Sequence, residues 1–163
     1  MSTTNSPCLI AALDYLALGY SPLALCTPDH SNMGDKHRSL CTNPGKAPVT
    51  EWKAYQQHQP QETEIQTWFK RYKCANVGIV MGGPARIIGL DIDDESGSKK
   101  LLEWSKGNIP QSLAFSTPSG GHRILYQLPI NIEIPIKSFS FNGQKESLRI
   151  LGRGSQTVMP PSQ

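Results

Sequence analysis

With 163 residues, 37% hydrophobic and 18% charged, the chain has the size and make-up of one globular domain with a real core, and its 13 prolines and 14 glycines call for many loops. A formal net charge of +3 is compatible with a nucleic-acid partner without arguing for one. No apolar run approaches the roughly 18 residues of a membrane span, and no basic segment leads into an apolar run with a cleavage site, so a cytoplasmic protein without membrane contact is expected.

Ser6-Pro7 followed by Cys8 to Leu18 predicts a helix, with Ser6 as its cap, Leu9, Leu13 and Leu16 as its buried stripe, and Gly19 as its stop. A short strand from Pro22 to Cys26 follows. Residues 27–48 are polar and aperiodic, and a loop of that length in a compact domain is functional or held by something. Thr50 and Thr63 read as caps of two further helices, the second with Ile65, Trp68, Phe69 and Tyr72 as its apolar face. Strands are predicted at Val77–Met81 and Ile87–Ile92, flanking the turn signal Gly82-Gly83-Pro84. Ser96 to Lys106 reads as a helix with Leu101, Leu102 and Trp104 inward. Strands then recur at 113–116, 122–128, 148–151 and 157–159, with Asn142-Gly143 as a hairpin signal and Pro160-Pro161 ending the pattern.

Four groups of residues can carry chemistry. In Ile87 to Asp94, strand alternation puts Asp91 and Asp93 on one face and sends Leu90 and Ile92 into the core. Two acids side by side repel, and Mg²⁺ or Mn²⁺ resolves that repulsion; the plain alternative is an acidic turn in which Asp93-Asp94-Glu95 caps the next helix. Ser116-Thr117-Pro118-Ser119-Gly120-Gly121-His122-Arg123 can form a phosphate cradle from glycine backbone, hydroxyls and a guanidinium, or a tight turn that merely needs glycine. Lys46, between Gly45 and Pro48, is a solvated lysine or an added positive charge. Cys26-x3-His30 and His37-x3-Cys41 offer thiolates and imidazoles that suit tetrahedral Zn²⁺ and would explain how the 27–48 loop is held, although the spacing is not that of a common zinc finger. Cys8 and Cys74 read as ordinary residues on apolar faces, and disulfides are not expected.

Taken in order, Gly45-Lys46-Ala47-Pro48 with Trp52, Asn76 to Ile79, Gly89 to Asp93, Thr117 to His122 and Gln156 to Ser162 resemble the bifunctional DNA primase/polymerase (prim-pol) domain of the archaeo-eukaryotic primase superfamily. The resemblance implies a single α+β domain over residues 1–163, with an N-terminal α/β part and a catalytic sheet like that of an RNA-recognition motif. It implies template-directed nucleotidyl transfer from NTPs or dNTPs on a DNA template or primer. Two divalent ions, Mg²⁺ or Mn²⁺, would sit on Asp91 and Asp93. Lys46, Ser119, Gly120, Gly121, His122, Arg123 and Ser162 would contact the nucleotide. The implied setting is replication of a plasmid, phage or other mobile element. The chain stops directly after Pro-Pro-Ser, so a C-terminally short domain is expected, with a replicative helicase as a separate partner or in a missing segment.

Two positions depart from the family pattern. His122 follows the glycine pair directly and Arg123 takes the usual histidine place; of the two, His122 is expected to face the metals. The family's third acid matches a position close to Arg149, with Glu146 as the nearest carboxylate and Asp94 as a substitute. These departures keep two other readings open: a non-catalytic nucleotide- or DNA-binding relative, and a metal-dependent nuclease.

Overall fold

The computed structural model describes residues 6–31, 33–141 and 147–163. The first helix, α1 (Pro7–Ala17), starts where Ser6 accepts a 3.1 Å hydrogen bond from the Leu9 N–H, and ends before Gly19 at φ +88°. Strand β1 (Pro22–Leu25) is followed by the polar loop, which contains one short helix, α2 (Asp35–Leu40). A 3₁₀ turn (Lys53–Gln56) with Trp52 at its N-cap leads to α3 (Glu62–Arg71). Neither Thr50 nor Thr63 caps a helix. Glu64 reaches back to the Gln61 N–H at 2.7 Å, and this capping interaction starts α3 ahead of Thr63.

The remaining elements are β2 (Asn76–Val80), β3 (Ile87–Ile92), α4 (Glu95–Trp104), β4 (Ala114–Ser116), β5 (His122–Gln127), β6 (Lys137–Phe139), β7 (Leu148–Leu151) and β8 (Gln156–Val158). They form two antiparallel sheets, one ordered β1-β2-β8 and the other β4-β5-β3-β7-β6. The glycine turn 82–83, with both residues at positive φ, carries the chain from one sheet to the other. The Asn142-Gly143 signal lies outside the described residues, but β6 and β7 on either side of it pair antiparallel as a hairpin would require.

A core joins the two parts. Leu23, Leu25, Val77 and Ile79 of the small sheet, with Ile65, Trp68 and Phe69 of α3, belong to one buried cluster with Ile87, Leu125 and Leu151 of the large sheet. Register decides which face of the large sheet meets this core. Ile87, Gly89 and Asp91 share it, together with Leu125 and Leu151, which pair with Gly89. The face carrying Ile88, Leu90 and Ile92 looks the other way, and Ile88 and Ile92 are buried on it. Ile92 is buried as expected, at 7% exposed, but the acidic face turns inward too: it is the one that meets this core, and Asp91 is only 6% exposed.

Helix α4 is seated by Asp94, whose carboxylate accepts from the Gly97 N–H at 2.8 Å, and by the close approach of Gly97 to the Ser147 carbonyl. Its apolar side differs from expectation. Leu102 and Trp104 are each half exposed, Trp104 resting edge-on against Phe139 and Phe141. Cys74 is exposed rather than apolar-facing, at positive φ just after α3. Among the described residues no helix is long and apolar enough to cross a membrane.

Candidate active site

The site is built on β3, the central strand of the large sheet. Asp91 pairs directly with Arg123 of β5 on one side and with Arg149 of β7 on the other, so three charged side chains cross one row of the inner face. Arg123 holds Asp91 through two contacts to Oδ1, 3.0 Å from Nε and 2.5 Å from Nη2. Its Nη1 reaches across to Thr157 Oγ1 of the small sheet at 2.5 Å. The guanidinium also lies 6.0 Å from the centroid of the Phe115 ring, the cross-strand neighbour on β4. A guanidinium has five N–H groups, and these contacts use three of them. Arg123 thus ties the two sheets together at Asp91 and keeps donors to spare.

Asp93, two residues on, shares the face of Asp91 and is exposed just past the end of β3. Loss of solvation and then the Asp91 charge push its carboxyl above the usual carboxylate range, against the opposing pull of Arg149 and Arg123. The electrostatics are those of two acids sharing one small space with two guanidinium groups.

The loop between β4 and β5 closes over the end of β3. Thr117 N–H donates to the Gly121 carbonyl at 2.9 Å, Gly120 N–H donates to the Thr117 carbonyl at 3.0 Å, and the hydroxyls of Thr117 and Ser119 lie 3.1 Å apart. Gly121 has to be glycine: a Cβ there would stand 2.5 Å from the Ile92 carbonyl oxygen and 3.2 Å from Asp93 Cα. The glycine pair therefore lays the loop directly on the strand segment that carries Asp93.

Several expected site residues stand elsewhere. His122 pairs with Ile92, on the opposite face from Asp91, and is exposed; the register selects Arg123, not His122, for the acidic face. Asp94 is spent as the α4 cap, and the Gly97 N–H holds its carboxyl below the usual range, so it is no substitute third acid. Glu146 lies outside the described residues. Ser162 is not turned to a ligand: its hydroxyl accepts from the Val77 N–H at 2.8 Å and donates to the Val77 carbonyl at 2.9 Å, extending the edge of β2. Asn76 completes this clasp, accepting from the Gln163 N–H and donating to the carbonyls of Gln163 and Gly45. Lys46 is exposed, and its carbonyl accepts from Gln156 Nε2 of β8 at 2.7 Å, which sets it beside the strand that supplies Thr157. Cys26, His30, His37 and Cys41 do converge, with one ligand atom from each lying within 4.8 Å of all the others.

The sequence reading missed Thr157 and Phe115, which fix Arg123, and the direct pairing of Arg149 with Asp91. The alternation of β3 was visible, and so were strands at 122–128 and 148–151; that these two flank β3, and in which register, was not.

The family model for the N-terminal domain of bifunctional DNA primase/polymerase matches residues 12–163, nearly the whole chain. The chain belongs to this family. No curated protein matches it. Membership in the prim-pol family makes DNA and nucleotides the substrate classes, and primase/polymerase-type nucleotidyl transfer the associated chemistry, dependent on a metal ion. The α+β fold that the resemblance implied is the one observed, with Asp91 on the central strand of the larger sheet.

Proposed function

We propose that this prim-pol domain extends nucleic-acid chains on a DNA template from NTPs or dNTPs, with Asp91 and Asp93 as its catalytic carboxylates. The observation that carries the reading is the pair of acids at the end of β3, on the face it shares with two guanidinium groups from the flanking strands β5 and β7.

The donor set fits one divalent cation. Carboxylate oxygens and substrate phosphates are the ligands Mg²⁺ and Mn²⁺ take, and the repulsion that raises the Asp93 carboxyl is what a cation relieves. Asp91 commits only Oδ1 to Arg123, which leaves Oδ2 for an ion. Among the described residues the donors do not extend to the second ion that the family resemblance implies, because the cross-strand position beside Asp91 carries Arg149 in place of an acid. When bound, a divalent ion here supplies charge neutralisation at the triphosphate and at the attacking oxygen.

The chain's own residues do the rest by placement. Arg123, held rigid by Asp91, Thr157 and Phe115, directs its spare N–H groups at incoming phosphates. The Ser119 hydroxyl and the backbone of Gly120 and Gly121 line the loop just above Asp93, and Lys46 adds a positive charge from the β8 side. Arg149 contributes a fixed positive charge where phosphoryl transfer concentrates negative charge. In-line displacement at phosphorus needs mainly this positioning and neutralisation. The setting we propose is cytoplasmic replication of a plasmid, phage or other mobile element, in concert with a replicative helicase.

Arg149 also favours a second reading, a relative that binds nucleotide or DNA without turnover. Incubation with a primed template, labelled nucleotides and Mn²⁺ separates the two. Extension that disappears in Asp91→Ala and Asp93→Ala supports the polymerase, and tight binding without extension supports the binding module. Shortening of the DNA without nucleotides would point instead to a nuclease.

A further inference from the structure

Away from the acidic strand, the polar loop folds back on itself around four side chains. Cys26 follows β1 and is fully buried. His30 sits at positive φ, and its carbonyl accepts from the Met33 N–H at 3.0 Å and from Arg38 Nε at 3.2 Å, which turns the chain into α2. That helix carries His37, and Cys41 follows one turn later with its N–H on the His37 carbonyl at 2.9 Å, so both side chains lie on one helical face.

The geometry is that of a coordination shell. The two sulfurs are 4.0 Å apart, whereas a disulfide needs about 2.05 Å. Two thiolates at the usual zinc distance of about 2.3 Å and the tetrahedral angle stand about 3.8 Å apart. The Nε2 atoms of His30 and His37 are both buried, and neither has a hydrogen-bond partner. Two orphaned ring nitrogens beside two thiols are costly in an empty fold and satisfied at once by a metal. The loop helix is too short and too exposed to hold its position by packing, since none of its residues is buried.

We propose that Cys26, His30, His37 and Cys41 bind one zinc ion as a structural, four-ligand site. The ion pins the outward half of the loop to its return half. The Cys26 thiol donates to the Asn43 carbonyl at 3.8 Å. The Cys26 N–H also donates to the Ala47 carbonyl at 2.8 Å. Residues on both sides of Lys46 are therefore fastened to a zinc ligand, so the ion fixes where Lys46 meets β8. The zinc site stands on its own geometry and holds whether or not the acidic strand catalyses transfer.

Metal analysis of the full chain, purified after growth with zinc, tests this. One zinc per chain is expected, lost on chelation and replaceable by Co²⁺ with the absorption of a tetrahedral, two-thiolate site. Cys8→Ser and Cys74→Ser should keep the metal; Cys26→Ser and Cys41→Ser should lose it. Thiol labelling of the wild-type chain gives a reading that needs no variant. Cys26 and Cys41 should be protected with zinc and reactive after chelation, while Cys74 labels in both states. Absence of stoichiometric zinc together with no cobalt spectrum would overturn the proposal, as would a Cys26–Cys41 disulfide in the purified protein.

Discussion

Replacing Arg123 with Met removes both contacts to Asp91 and the bridge to Thr157. It leaves a carboxylate whose side chain is 9% exposed with its closest partner gone. Surface ion pairs are worth at most about 1 kcal/mol, but breaking a buried one by deleting one partner costs about 3–5 kcal/mol. With side chains 13% and 9% exposed, this pair belongs to the buried class. At a urea dependence of about 2 kcal/mol per molar, Arg123→Met should unfold at a urea concentration lower by about 1.5–2.5 M. Adding Asp91→Asn should restore much of the loss, because no unpaired charge then remains, giving a coupling of about 2–3 kcal/mol. The assay is urea unfolding followed by fluorescence of the three tryptophans, with divalent ions chelated. Mn²⁺ should then raise the midpoint of Arg123→Met more than that of the wild type, since the cation takes the charge the guanidinium vacated. Unfolding of Arg123→Met within about 0.5 kcal/mol of wild type, with no response to Mn²⁺, would refute the reasoning.

Gly121→Ala forces a methyl against the Ile92 carbonyl, and overpacking of this kind costs about 1–3 kcal/mol, a fall of about 2–12 °C in Tm by thermal melting. Its displaced loop should also raise the KM for nucleotide, as primer-extension kinetics would reveal. Ser162→Ala should weaken stability by about 1–3 kcal/mol by stranding the Val77 N–H, and leave nucleotide affinity in the folded protein unchanged by calorimetry. Because the Asp93 carboxyl is raised, metal-free protein should gain stability from Asp93 at low pH and lose it as pH rises from the ordinary carboxylate value through the raised one. Mn²⁺ affinity should rise over the same interval. Asp93→Asn should abolish both trends in pH-dependent melting and Mn²⁺ titration.

Local signals in the chain held at α1 but not throughout, since Thr50 and Thr63 were misread as caps where Trp52 and Gln61 start the helical turns. Ser6-Pro7 started α1 and Gly19 ended it because capping involves only neighbouring residues. The alternation around Asp91 and Asp93 was legible for the same reason, since the pleat alone puts both acids on one face. Which way that face looked was not. It depends on Leu125, Leu151 and the other sheet, contacts that no periodicity in β3 encodes. Strand register decided between His122 and Arg123, and a shift of one residue exchanges their faces. Ser162 was misread because a hydroxyl after two prolines looks available until Val77, 85 residues earlier, takes both of its hydrogen-bonding roles. Cys26, His30, His37 and Cys41 were found from paired spacing alone, and their convergence followed from the helical turn that links His37 to Cys41.

Asp91 and Asp93 are proposed as the catalytic centre of a template-dependent nucleotidyltransferase. Single-nucleotide extension rates on a primed DNA template with Mn²⁺ test it most directly, comparing wild type with Asp91→Asn and Asp93→Asn at matched folding. Template-directed extension slowed at least about a hundredfold in each variant is the predicted result. Extension that proceeds equally well in all three proteins would contradict it, as would a wild-type protein that binds nucleotide and template yet never extends.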